Sequence, residues 1–177
     1  MKNLKLALFL LIVGLFIGLS ACKNEKERQY DEIVSIEKSL FGDRTSVNDS
    51  LARIYLSKTD VYIKNYKEDE HTPDLLFKSG EVLNGLQSYT FAIRKFQEVY
   101  LLFPKHSKAS ESIFLCAFIY DTYLQKYEDA SRYYRLFLKK YPNHPLAKDA
   151  KISLDNIGKT PEDLVKEFEL KNDTLIQ

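Results

Sequence analysis

LLFKSGEVLNGLQSYTFAIRKFQEVYLLFP, Leu75 to Pro104, is followed by SIFLCAFIYDTYLQKYEDASRYYRLFLKKYP, Ser112 to Pro142, and the two stretches carry one pattern. Ala92 matches Ala130, Phe96 matches Tyr134 and Pro104 matches Pro142, each pair 38 residues apart. His106 and His144 keep the same offset. Self-similarity at such a period indicates stacked helical hairpins. A single hairpin cannot bury its apolar face, so neighbours stack and share a continuous core.

Composition agrees with an ordinary globular chain. Of 177 residues, 45% are apolar and 29% charged, far from the balance of a disordered protein. The scarcity of glycine (6) and proline (5) suits helices joined by short turns. The formal charge is +1, and past residue 21 the chain carries 24 bases against 25 acids. A nearly neutral chain has no long-range field to draw it onto nucleic acid, so no nucleic-acid partner is expected.

The amino terminus reads MKNLKLALFLLIVGLFIGLSAC. Lys2 and Lys5 precede the uncharged run Leu6 to Leu19, which matches the charged and apolar regions of a secretory signal. The run is short of the roughly 20 apolar residues that a membrane span needs. After it, Leu19-Ser20-Ala21-Cys22 resembles the lipobox of bacterial lipoproteins. The resemblance implies removal of residues 1–21 and lipidation of Cys22, so that acyl chains (palmitate among them) tether the mature chain to a membrane. Two or more chains hold a protein stably where one is marginal. Lys23 follows the cysteine where aspartate would resemble an inner-membrane retention signal, so the expected location is the outer membrane, on its periplasmic face. Cys116, the only other cysteine, lies in the apolar run Ile113 to Ile119 and reads as a buried small hydrophobe.

Past the tether, residues 22–24, helical periodicity predicts eight helices in four hairpins. The first spans Glu25 to Phe41, with Gly42 as its stop. The second carries Leu51, Ile54, Tyr55, Val61 and Tyr62 to about Tyr66, with Asn48 or Ser46 as cap. Lys67 to His71 is a charged loop whose simplest reading is a solvated connection. Thr72-Pro73-Asp74 and Thr160-Pro161-Glu162-Asp163 both read as cap, proline and acid at a helix start. Between them come helices from Thr72, from Tyr89 to Phe103, from Ser107, from Glu128 to Tyr141, and from Pro145 to a stop at Gly158. The last helix presents Leu164, Val165 and Phe168, and residues 172–177 read as a frayed tail.

The repeated stretch resembles the tetratricopeptide repeat (TPR), with a small residue in the first helix, another early in the second, an aromatic four residues on, and a terminal proline. The first copy has Gly80, Ala92, Phe96 and Pro104; the second has Ala117, Tyr120, Ala130, Tyr134 and Pro142. The period is longer than the usual 34, and Ala117 to Ala130 spans one residue more than Gly80 to Ala92. The resemblance implies an all-α, right-handed solenoid over residues 25–171. Its clearest repeats are 74–104 and 107–142, and 145–170 is a degenerate one.

A lipobox followed by such repeats resembles the small TPR lipoproteins of Bacteroidetes-type bacteria. It is more distantly similar to the BamD-like lipoproteins of outer-membrane protein assembly and to the TPR partner of the Tol–Pal system. These resemblances imply a scaffold or accessory subunit of an envelope complex, with protein partners in the envelope, a lipid anchor and no small-molecule substrate. The alternatives are a coordinator of cell division or peptidoglycan synthesis, and a substrate-binding lipoprotein. The family's concave groove positions map to Asp74, Phe77, Glu81, Asn84, Glu111, Phe114, Phe118 and Asp121, a mixture of carboxylates, an amide and aromatics suited to an extended peptide.

Nothing in the chain proposes a reaction. His71, His106 and His144 fall in loops without a metal-ligand spacing, and two of them share a repeat offset, which predicts that they help cap the following helices. No G-x-S-x-G elbow or glycine-rich phosphate loop occurs, so no catalytic residue, metal or cofactor other than the Cys22 lipid is expected.

Overall fold

A computed structural model describes residues 25–42 and 48–175 of the chain. The leader, Cys22, Ser46 and the last two residues lie outside them. The described residues are all-α, with eight α-helices and no strand among them. Residues 25–42 form α1, Asp49–Asn65 α2, Thr72–Gly85 α3, Tyr89–Leu102 α4, Lys108–Phe118 α5, Tyr127–Lys140 α6, Ala147–Asn156 α7 and Pro161–Leu175 α8. No described helix is long and apolar enough to cross a membrane. The chain divides into two compact units, one up to Leu75 and one from Leu76 onward.

In the first unit, Ile33 and Leu40 of α1 are buried, as are Ala52, Tyr55, Thr59 and Tyr62 of α2. The stripe expected on α2 is corrected here. Ile54 and Val61 point outward, 47% and 50% exposed, while a threonine takes a core position. Thr59 is tolerated there because its hydroxyl donates to the Tyr55 carbonyl at 3.0 Å, which satisfies its one polar side-chain group. Asn48 caps α2 as expected, its Oδ1 accepting from the Leu51 amide at 3.1 Å.

In the second unit, Ala92, Ile93, Phe96 and Val99 of α4 meet Ile113, Cys116 and Ala117 of α5, and Ala130, Tyr133, Tyr134 and Phe137 of α6 complete the core. α4, α5 and α6 pack in sequence. Gly80 lets α3 sit directly on Phe96, since a Cβ there would lie 2.7 Å from the ring. Cys116 is fully buried, its Sγ 3.8 Å from the Ile93 carbonyl, and burial pushes its thiol well above the ordinary range. It is an inert core residue.

The extra residue of the second copy has a definite place. α5 ends in a π-helical turn, Ile119–Tyr123, closed by the Leu124 amide donating to the Ile119 carbonyl at 3.1 Å. A π turn absorbs one inserted residue without shifting the helix beyond it. Past the insertion the copies return to register. Gln87 and Gln125 occupy the left-handed region at φ 56° and 50°, and each closes its hairpin although neither is glycine.

At the carboxyl end, Gly158 takes φ 74° after α7, as the glycine stop predicts. Thr160 and Asp163 then form a reciprocal capping box: the Asp163 amide donates to Thr160 Oγ1 at 3.2 Å, and the Thr160 amide donates to Asp163 Oδ2 at 3.0 Å. Of the stripe expected on α8, the Phe168 side chain lies outside the described residues and the other two members are open. Leu164, Val165 and Leu170 are exposed. The helix also continues to Leu175, past the Lys171 boundary where a frayed tail was expected.

Candidate functional site

The connections between hairpins share one construction. Tyr66, Phe103 and Tyr141 each end a helix with nearly the same dihedrals: φ −130° and ψ 55°, −125° and 56°, −132° and 57°. Three residues on, the amide of Asp69, His106 or His144 donates back to that aromatic residue's carbonyl. The carbonyls of Asp69, His106 and His144 in turn accept from Thr72, Ala109 and Ala147. Their side chains do one job as well. Asp69 Oδ1 accepts from the His71 amide at 3.0 Å, His106 Nδ1 from Lys108 at 3.3 Å and His144 Nδ1 from Leu146 at 3.2 Å. The two histidines are therefore caps, as their common offset predicts. The tautomer that lets Nδ1 accept leaves Nε2–H of His144 to donate to Ser110 Oγ at 3.3 Å.

The construction extends the repeat to the turn before α3, where Lys67 replaces the proline of the other two turns and aspartate replaces histidine. It also corrects the reading of Lys67 to His71 as plain solvated connection. The Asp69 side chain is only 7% exposed, paired with Lys26 at 2.6 Å and accepting from the Tyr62 hydroxyl at 2.9 Å. Burial alone raises its pKa, but Lys26, the His71 amide and Tyr62 together hold the carboxyl below its ordinary value. His71 stacks on Tyr30, centroids 3.8 Å apart. Thr72 does not cap α3 in the expected way. The His71 carbonyl takes the first helical bond, from Leu75, while the buried Thr72 hydroxyl donates to the Tyr66 carbonyl at 2.7 Å.

The groove positions meet several different environments. Asp74, in the first turn of α3, is exposed, and so is Glu81. Phe77 belongs to the core: it is 4% exposed and edge-on to Phe96, centroids 5.4 Å apart, so its ring is withdrawn from any ligand. Above it, Lys108 Nζ stands 4.9 Å from the Phe77 centroid and donates to Glu111 Oε2 at 2.8 Å. Asn84 is half-buried, and its Oδ1 is enclosed without a hydrogen-bond partner among the described residues. Phe114 is half-buried, edge-on to Tyr134 and Phe137 of α6, which fixes one side of its ring inside the hairpin. Phe118 meets Tyr123 edge-on at 5.8 Å. Asp121 sits within the π turn, where burial raises its pKa and a long hydrogen bond from the Tyr134 hydroxyl, 3.5 Å, partly offsets that. Of the set, Glu81, Asn84, Glu111, Phe118 and Asp121 remain able to meet a partner within the second unit.

Two features near these positions had no separate signal in the sequence. Tyr123 stacks on Tyr89, centroids 4.5 Å apart, across the ends of the hairpins, and Tyr120 stacks on Tyr133 at 5.6 Å. Aromatic spacing within one repeat gives no hint of the Tyr89–Tyr123 pair, which joins two repeats, and does not single out the Tyr120–Tyr133 stack inside the second. No cluster of metal-ligating side chains occurs among the described residues. Compared with known proteins, the chain matches no protein-family model and no curated protein.

Proposed function

We propose that the chain is a lipid-anchored, TPR-like repeat protein of the bacterial outer membrane that works by protein–protein contact. Its most natural role is as a scaffold or accessory subunit of outer-membrane protein assembly, similar to the BamD-like lipoproteins. The observation that carries the reading is the interhelical turn built three times in the same way at Tyr66, Phe103 and Tyr141. A chain that spends its sequence on repeating one hairpin junction makes an extended surface of side chains, which serves recognition better than it serves a reaction. The close approach at Gly80 and the matching turns at Gln87 and Gln125 favour a TPR-like solenoid over an unrelated bundle. The lipobox-like Leu19 to Cys22 supplies the tether. Glu81, Asn84, Glu111, Phe118 and Asp121 are the positions offered to an extended peptide; Asp74 belongs with them by repeat position alone.

The test is mild in-cell crosslinking of the tagged protein, followed by membrane solubilisation and mass spectrometry, with Cys22→Ser as the mislocalised control. Recovery of the barrel-assembly machinery with wild type, lost in the control, is the expected result. Recovery of Tol–Pal or peptidoglycan-synthesis proteins would move the role to envelope constriction. The same background from both chains would overturn the scaffold reading.

A further inference from the structure

The repeat supplies its own control for the paired tyrosines at the hairpin ends. Tyr89 opens α4, and Tyr127, 38 residues on, opens α6. Tyr127 is 42% exposed and its ring lies over Gly158, in the turn after α7. Packing at this place therefore needs one aromatic ring and no aromatic partner. Tyr89 instead faces a second phenol. Tyr123, the last residue of the π turn, stacks on it with centroids 4.5 Å apart and planes only 7° from parallel. At that separation facing ring carbons are close to van der Waals contact. Phe118 braces the Tyr123 ring edge-on at 5.8 Å. Tyr123 is 44% exposed and Tyr89 is half-buried, so solvent reaches the pair.

The other tyrosine pairs lack one or more of these properties. Tyr62 meets Tyr30 and Tyr66 at tilts of 47° and 58°, and it is buried. Tyr100 is edge-on to Tyr133. Tyr120 stacks on Tyr133, but at 5.6 Å, and Tyr133 is buried with its hydroxyl accepting from Gln97. Burial also raises the pKa of the Tyr62, Tyr100 and Tyr120 phenols. A phenol sheds its proton as it gives up an electron, and a ring shut away from water has fewer acceptors for that proton. Among the described residues, two stacked phenols that both reach solvent occur at Tyr89 and Tyr123 alone.

We propose that Tyr89 and Tyr123 are an oxidative modification site, which a haem peroxidase with hydrogen peroxide converts into an intramolecular dityrosine. Each phenol loses one electron and one proton, giving two tyrosyl radicals, while one peroxide is reduced to two waters. The radicals join through a new carbon–carbon bond between one Cε atom of each ring, ortho to the hydroxyl. The hydrogen on each of those carbons then leaves as a proton and each ring oxygen regains one, which restores both phenols. The chain loses two hydrogen atoms in all. The two tyrosines are 34 residues apart in sequence, so the bond closes a loop over α4 and α5 and staples the end of one hairpin to the next. The inference depends neither on the tether nor on any partner.

The full chain, held in detergent, would be treated with a haem peroxidase and limiting hydrogen peroxide. The expected product is a monomer lighter by two hydrogen atoms, with dityrosine fluorescence and a proteolytic fragment that joins the peptides of Tyr89 and Tyr123. Tyr89→Phe and Tyr123→Phe each keep the ring and remove the phenol. Both should lose the product while their circular dichroism stays that of wild type, and Tyr120→Phe and Tyr127→Phe should retain it. Closing a loop of this length restricts the unfolded chain as a disulfide does, so the crosslinked wild type should melt higher by more than about 10 °C. Crosslinks that map mainly to other tyrosines, that join only separate chains, or that survive Tyr89→Phe and Tyr123→Phe would overturn the proposal. Oxidised wild type without dityrosine would do the same, and a crosslinked chain that melts no higher would refute the staple.

Discussion

Replacing Gly80 with alanine sets two known effects against each other, and the structure decides between them. In an unobstructed helix interior the change stabilises by about 1 kcal/mol, because glycine loses more backbone freedom than alanine on folding. At Gly80 the new Cβ would lie 2.7, 2.8 and 2.9 Å from Cε1, Cζ and Cδ1 of Phe96. Carbon atoms in good contact are about 3.5–4.0 Å apart, so the ring must retreat by almost 1 Å. It has little room: Phe96 is 1% exposed and lies edge-on to Phe77. Overpacking a core of this kind costs about 1–3 kcal/mol. The net expectation is destabilisation by about 1 kcal/mol, a fall in Tm of about 4–8 °C if the second unit melts as a domain of some 100 residues. Urea unfolding followed by circular dichroism measures it. Phe96→Leu in the same chain removes the clashing ring atoms, so the double variant should be less destabilised than the sum of the singles by about 1 kcal/mol. A Gly80→Ala chain more stable than wild type by about 1 kcal/mol would refute the argument, since it would mean that α3 does not rest on Phe96.

Gln87→Gly and Gln125→Gly should each stabilise by roughly 0.5–1 kcal/mol, because both glutamines hold left-handed φ values that glycine adopts without a Cβ penalty; thermal melts check this. Gly158→Ala should have the opposite sign, at about 1 kcal/mol, since φ there is 74° and the Tyr127 ring is 3.4 Å from the added Cβ. Asp69→Ala should destabilise by about 2 kcal/mol in urea melts, because it strips an acceptor from Tyr62 and His71 and a counter-ion from Lys26. Asp69 also sets a pH dependence. Its folded pKa is below the unfolded one, so its contribution is complete above the unfolded value, near 3.9, and is lost as pH falls through the folded value. Melts between neutral and acid pH should show that loss in wild type and less of it in Asp69→Ala. Deleting Thr122 from the π turn should be tolerated at a cost of about 1–2 kcal/mol, since it restores the shorter register of the first copy, whereas deleting Leu115 from α5 should unfold the unit by circular dichroism.

Much of the second unit was legible because its repeat places strong punctuation at fixed offsets. Ala92, Phe96 and Pro104 against Ala130, Tyr134 and Pro142 located α4 and α6, and the shared offset of His106 and His144 foretold their capping role. The extra residue was visible as a difference in length. Its form was not, because a π turn is built from the same backbone groups as an α-helix and carries no side-chain signature. On α2, apolarity misled. Tyr55 and Tyr62 are buried as expected, but Ile54 and Val61 are exposed and the core takes Thr59 instead, whose hydroxyl lowers its hydropathy without preventing burial once the Tyr55 carbonyl accepts from it. Asp69 was hidden in a charged run, where sequence cannot tell a buried carboxylate from its solvated neighbours Glu68 and Glu70. The candidate groove was legible only by repeat position, which assigns a face but not a depth. Phe77 therefore went inward to Phe96 while its counterpart Phe114 stayed half-open. Cys22 and the leader lie outside the described residues, and their reading rests on sequence alone.

The proposal depends on the tether before it depends on any partner, and the intact mass of the chain extracted from membranes of the producing bacterium tests that directly. The expected result is a chain beginning at Cys22, heavier than residues 22–177 by a diacylglyceryl group and an amide-linked acyl chain, with the membrane-bound form lost in Cys22→Ser. An unmodified mass, or a Cys22→Ser chain that stays in the membrane as wild type does, would contradict the account.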